Sequence, residues 1–157
     1  MEKIKLFIII NVISILFSCS GQLKKISENR GTIEKLSLDN FKEIPNEIDD
    51  CSCAFSETVD RFKKEEYLFV SDLNSIGFLS INNKLIKLRL ISAERRSGIF
   101  GDNNHKDIYS NEKYKVTVHI KYKRSVGDET WWNYGTITIK SKDGQKLTKK
   151  FVGECGC

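Results

Sequence analysis

The sequence predicts an all-β fold: a single small antiparallel β-sandwich or barrel closed by two disulfides, preceded by a signal peptide and a flexible tether. Three observations predict it. Residues 113–123 alternate apolar and polar side chains without a miss, four of the five cysteines form two Cys-x-Cys pairs near residues 51 and 157, and turn residues separate short apolar segments. With 157 residues, 39% hydrophobic and 30% charged, and a net charge of +5, the chain has room for one domain of ordinary composition. A multidomain enzyme and a low-complexity scaffold are both excluded on those grounds.

Residues 1–18 read as a signal peptide. Lys3 and Lys5 give a short positive region, and residues 6–17 are apolar except for Asn11 and Ser14. That run is too short for a hydrocarbon core needing about 20 residues. It closes on Leu16-Phe17-Ser18-Cys19, which resembles the lipobox of bacterial lipoproteins. The resemblance implies cleavage before Cys19, a diacylglycerol on its thiol and acylation of the new amino group. Two or more acyl chains give stable attachment where one gives reversible binding. The expected location is the cell envelope, on a membrane without spanning it. Ser20 after the cysteine points to the outer membrane, by analogy with lipoprotein sorting.

Residues 19–48 are expected to be a lipidated, largely disordered tether. Across residues 20–50 only 8 of 31 side chains are hydrophobic, with five basic and seven acidic, too little apolar content to offset the entropy of ordering. The β-domain is placed at 49–157. From Cys51 onward 41 of 107 residues are hydrophobic, with 19 basic and 13 acidic, so a basic domain of charge +6 follows a tether of charge −2.

Within the domain, 67–71, 76–81 and 84–91 read as strands, the last two joined by Asn82-Asn83, since asparagine tolerates the positive φ of a two-residue hairpin turn. Residues 94–110, polar and containing two glycines, are expected to be a long loop. In 113–123, Tyr114, Val116, Val118, Ile120 and Tyr122 share one face, as in a half-buried strand. A last hairpin joins 135–140 to 146–152 through Lys142-Asp143-Gly144, where Asp-Gly is a strong turn signal. No run of ten or more residues has a helical period, and there is no internal repeat.

After lipidation of Cys19, Cys51, Cys53, Cys155 and Cys157 remain, and three pairings exist. Positions i and i+2 of a strand share a face, so an antiparallel register that sets Cys51 opposite Cys157 also sets Cys53 opposite Cys155. A bridge within one Cys-x-Cys closes a strained ring, and the pairing of Cys51 with Cys155 needs crossed geometry. Cys51–Cys157 and Cys53–Cys155 are therefore expected, formed in an oxidising envelope. Two other uses of the thiols stand beside this one. Zinc sites normally space paired ligands by two to four residues. Thiol–disulfide exchange normally relies on a nearby cation or helix N-terminus, where Gly153-Glu154-Cys155-Gly156-Cys157 offers an anion.

No catalytic set is found, and no metal or cofactor is implied beyond the covalent lipid on Cys19. His119 falls on the polar face of the alternating strand. His105 lies among acidic and amide residues at 101–107 that lack the glycine and distal glutamate of an EF-hand loop. No nucleophile elbow, zinc-protease helix or phosphate loop occurs. Asp128 and Glu129 are adjacent, so a strand would face them to opposite sides. The chain reads as a binding protein and not as an enzyme.

The candidate binding surface is Trp131, Trp132, Arg95 and Arg96. Two consecutive tryptophans in a strand cannot both face one core, so one is expected to be buried and the other partly exposed, as a stacking surface or interface anchor. Lys113, Lys115, Lys121, Lys123 and Arg124 add a basic face suited to an envelope protein, an anionic glycan or lipid headgroups, with nucleic acid not among the partners. A solvated outer sheet face accounts for the same lysines.

The lipobox, Cys51-Ser52-Cys53-Ala54-Phe55, Gly127-Asp128-Glu129-Thr130-Trp131 and the terminal Gly-Glu-Cys-Gly-Cys together resemble a group of small bacterial envelope lipoproteins over most of 49–157. That resemblance brings no activity with it. The lipidated all-β layout is also faintly similar to membrane-bound lysozyme inhibitors, which block their target with a loop in its cleft. Ser97-Gly98 is the nearest fragment of that loop here, and a +6 domain would repel a basic lysozyme.

Overall fold

A computed structural model describes residues 34–49, 51–94 and 104–157. Among the described residues nine strands and one short helix follow one another: β1 (Leu38–Asp39), β2 (Ser52–Ser56), α1 (Val59–Lys63), β3 (Phe69–Ser71), β4 (Ile76–Ile81), β5 (Lys84–Ala93), β6 (His105–Ser110), β7 (Tyr114–Ser125), β8 (Thr130–Ser141) and β9 (Lys146–Gly156). Every strand from β2 to β9 pairs antiparallel with the next, and β9 pairs back to β2. The result is a closed eight-stranded up-and-down barrel, which removes both free sheet edges. β1 lies beside the end of β4, Leu38 opposite Ile81.

The period of two sets the inside. Phe55 of β2, Phe69 of β3, Tyr109 of β6 and Phe151 of β9 meet there, the three phenylalanines as a stack with Phe55–Phe151 centroids 4.0 Å apart and Tyr109 edge-on to Phe69 at 5.1 Å. Aliphatic residues such as Val116, Val118, Ile137 and Ile139 complete the filling, all fully buried. An eight-stranded barrel is just wide enough for side chains to fill, and this one is filled. Gly135 admits the stack: a Cβ there would sit 1.8 Å from the His119 carbonyl oxygen and 2.8 Å from the Phe151 ring. Only a residue without a side chain allows β7 and β8 to approach so closely.

Two ends follow from the strand directions. The turns at 82–83, 111–113 and 142–145 gather at the hairpin end. The connections β3–β4 and β7–β8 gather at the loop end with the C-terminus, the end of β5 and the start of β6. Asn82 and Asn83 have φ of 50° and 58°, the positive values expected for that turn.

Two expectations need correction. Residues 105–110 are not loop but strand β6, in register with β5 and β7. Its inward positions include His105 and Asp107, polar residues that break the apolar alternation. The compact unit starts at Glu34, not at residue 49, because Leu36, Leu38, Phe41 and Ile48 of the expected tether pack. Leu36 and Leu38 join the barrel core, while Phe41 and Ile48 cover Tyr67, Val70 and Phe78 on the barrel's outer surface. Gln145 fixes this strap, accepting from the Leu36 amide at 2.8 Å and donating to the Glu34 carbonyl at 3.0 Å, and Phe41 and Tyr67 exchange backbone hydrogen bonds. The helix α1 is a single turn, too short for any period to reveal. Thr58 caps it by accepting from the Arg61 amide, and Phe62 projects from it onto Tyr67 and Trp132.

Candidate binding surfaces

The loop end is built around the two disulfides. Cys53 and Cys155 are direct register partners across β2 and β9, and their bridge is buried. Cys51–Cys157 lies one step further out, with Cys157 exposed. Both bridges join the pairs that antiparallel register predicts. They tie the first barrel strand to the last at the seam where the sheet closes.

Trp131 is the register partner of Cys155 on the other side of β9, so it shares the barrel-lining face with the inner bridge, and it is half-buried. Two residues along, Asn133 is buried and its amide donates to the Trp131 carbonyl at 2.8 Å, fixing the strand beneath the indole. Trp132 takes the opposite face. It does not offer a ring to a ligand: it is 8% exposed, with the Phe62 ring edge-on at 5.1 Å. The expectation of one buried and one partly exposed tryptophan therefore holds, while Trp132 drops out as a contact residue because α1 covers it. Arg95 and Arg96 lie outside the described residues, as do Cys19 and Ser97-Gly98.

Leu73, with φ of 64°, turns its side chain into the core, where it is buried. Asp72 holds that turn by accepting from the amides of Asn74, Ser75 and Ile76 at 2.8–3.0 Å. Burial alone would raise the Asp72 pKa. The Ser75 hydroxyl and the three amides outweigh it and keep the carboxyl below its ordinary value. His105 and Asp107 face inward from β6 nearby, Nε2 to Oδ2 3.9 Å. Burial, and then Glu65 and Glu154, raise the Tyr67 phenol on the outer surface. Among the described residues no group of three or more His, Cys, Asp or Glu converges as a metal site would require.

The outer face of β7–β9 is a second surface. Lys115, Lys140 and Lys146 stand directly opposite one another in one row across three strands. The next row is Thr117, Thr138 and Thr148, with the Thr138 and Thr148 hydroxyls 2.9 Å apart. Lys150 and the exposed Tyr134 continue the face toward the loop end. The basic residues grouped by the sequence separate here: Lys113 and Lys115 belong to the hairpin end, and Lys121, Lys123 and Arg124 to the loop end. Sequence reasoning missed Lys140, Lys146, Lys150 and Tyr134 as members of this surface. The alternation of Leu147 and Phe151 with 146, 148 and 150 carried the signal, obscured by Lys149, which turns to Glu57 at 3.5 Å. Compared with protein-family models, with curated proteins and with solved structures, the chain finds no match.

Proposed function

We propose that the protein is a lipid-anchored component of a bacterial cell envelope, sited at the outer membrane, that binds a macromolecular partner at the loop end of its barrel and catalyses no reaction of its own. The lipobox resemblance at Leu16–Cys19 supports the anchor, and a fold closed by two disulfides suits an oxidising compartment. Trp131 carries the reading of the surface. The barrel is filled by its own aromatic side chains, which favours recognition outside it, and Trp131 is, with Tyr122 on the facing strand, an aromatic left half-open at the end away from Glu34.

A photoreactive residue at position 131, in intact cells, is expected to give a discrete crosslinked partner. One at position 148, on the outer face, is expected to give none. The same adduct from both positions, or none from 131, would overturn the site. Trp131→Ala should weaken the partner's binding by about 2 kcal/mol or more, as loss of an interface anchor does, while leaving both disulfides formed. Fatty-acid label incorporated by the wild type and lost in Cys19→Ser tests the anchor separately.

A further inference from the structure

The hairpin end concentrates positive charge at the place where the chain enters the barrel. Lys115, Lys140 and Lys146 are direct neighbours on adjacent strands, which lie about 4.8 Å apart, so three like charges fall within about 10 Å. Like charges directly opposite across strands destabilise a sheet. Lys113 and Lys142 extend the cluster, since the Lys142 amide donates to the Lys113 carbonyl at 2.9 Å and joins two hairpins side by side. All five side chains are exposed, and none makes an ion pair among the described residues. Two carboxylates lie in the same hairpins. Glu112 is exposed, and Asp143 is engaged by the Ser141 hydroxyl and by Gln145, so the cluster keeps a positive balance. Gln145 also grips the strap at Glu34 and Leu36. The cluster therefore surrounds the residue from which the chain runs back to Cys19, fifteen positions earlier, a span of at most about 50 Å when fully extended.

We infer that this hairpin end docks on the anionic phospholipid headgroups of the membrane that holds the anchor, with Lys115, Lys140 and Lys146 at the centre of the contact and the loop end turned away from it. The inference rests on the anchored reading given above and adds an orientation to it. Charge complementarity and the place where the strap begins select the occupant: a short tether ending at a lysine cluster confines that cluster near the bilayer surface. A basic patch then acts as a second attachment signal beside the lipid.

The full-length protein, reconstituted into phosphatidylcholine vesicles with and without phosphatidylglycerol, provides the test by lysine acetylation and mass spectrometry. Flotation with the phosphatidylcholine vesicles first reports the anchor; a chain that stays behind refutes the anchored reading, with the docking surface then read from phosphatidylglycerol vesicles alone. Phosphatidylglycerol is expected to slow acetylation of Lys115, Lys140 and Lys146 by about fivefold or more, the factor that corresponds to about 1 kcal/mol per lysine near an anionic surface. Lys121 and Lys123, about 20 Å away along β7, should react equally in both. Added salt should erase the difference. Equal rates in both vesicles, or protection of Lys121 and Lys123 to the same degree, would overturn the proposal. So would protection by added polyglutamate where phosphatidylglycerol gives none, which would assign the cluster to an acidic polymer.

Discussion

Removing both disulfides, by Cys51→Ser and Cys157→Ser with Cys53→Ala and Cys155→Ala, is expected to cost about 7 kcal/mol, most of what a domain of this size has. Either bridge alone should cost only about 2 kcal/mol. The bridges span 106 and 102 residues, but they tie the same two strand ends. With one retained, the other closes a ring of about six residues, and the chain-entropy gain of the long loop survives. Loss of the last bridge frees that loop and costs about 4.7 kcal/mol more. The inner pair should be the more damaging single loss, because its sulfurs are buried in the core. Urea unfolding of the wild type, the two single-bridge variants and the double variant would show this non-additivity. A single-bridge variant as unstable as the double one would refute it.

Phe55→Ala is expected to cost about 3–5 kcal/mol, the range for deleting a fully buried aromatic side chain. Phe55 is stacked on Phe151 at 4.0 Å and on Phe69 at 6.2 Å, so its loss leaves both rings without a face to rest on. The closed hydrogen-bonded wall of the barrel limits how far the cavity can collapse, which argues for the upper part of that range. Phe41→Ala, on the half-buried outer cluster, should cost clearly less. Equal losses at 55 and 41 in the same urea series would mean that the interior is not packed as described.

The legible parts of the fold share one physical cause, a strand whose two faces meet different solvents. The long alternation that became β7 could be read because each inward residue is apolar and each outward one mostly polar. The cysteine pairing was legible because Cys-x-Cys puts both sulfurs on one face and register does the rest. β6 was not, since buried Asp107 stands where alternation calls for an apolar residue. The strap was hidden by composition: Leu36, Leu38, Phe41 and Ile48 are few, yet each finds an apolar surface supplied by distant strands. Trp132 misled for a related reason, because the outer face of a barrel is not solvent wherever a covering turn such as α1 lies over it.

The strap and the outer disulfide also fix how the molecule bears tension. A pull applied at Glu34 meets weak bonds first: the Gln145 clasp, the two-residue ladder of β1 and the paired backbone of Phe41 and Tyr67. These part in turn and release at most about 60 Å of chain. When the opposing pull is at the C-terminus, the load at Cys51 passes through a covalent bond to Cys157, so the barrel strands between them carry none of it. The fold thus works as an extensible leash with a hard stop, giving way over a set length and then holding.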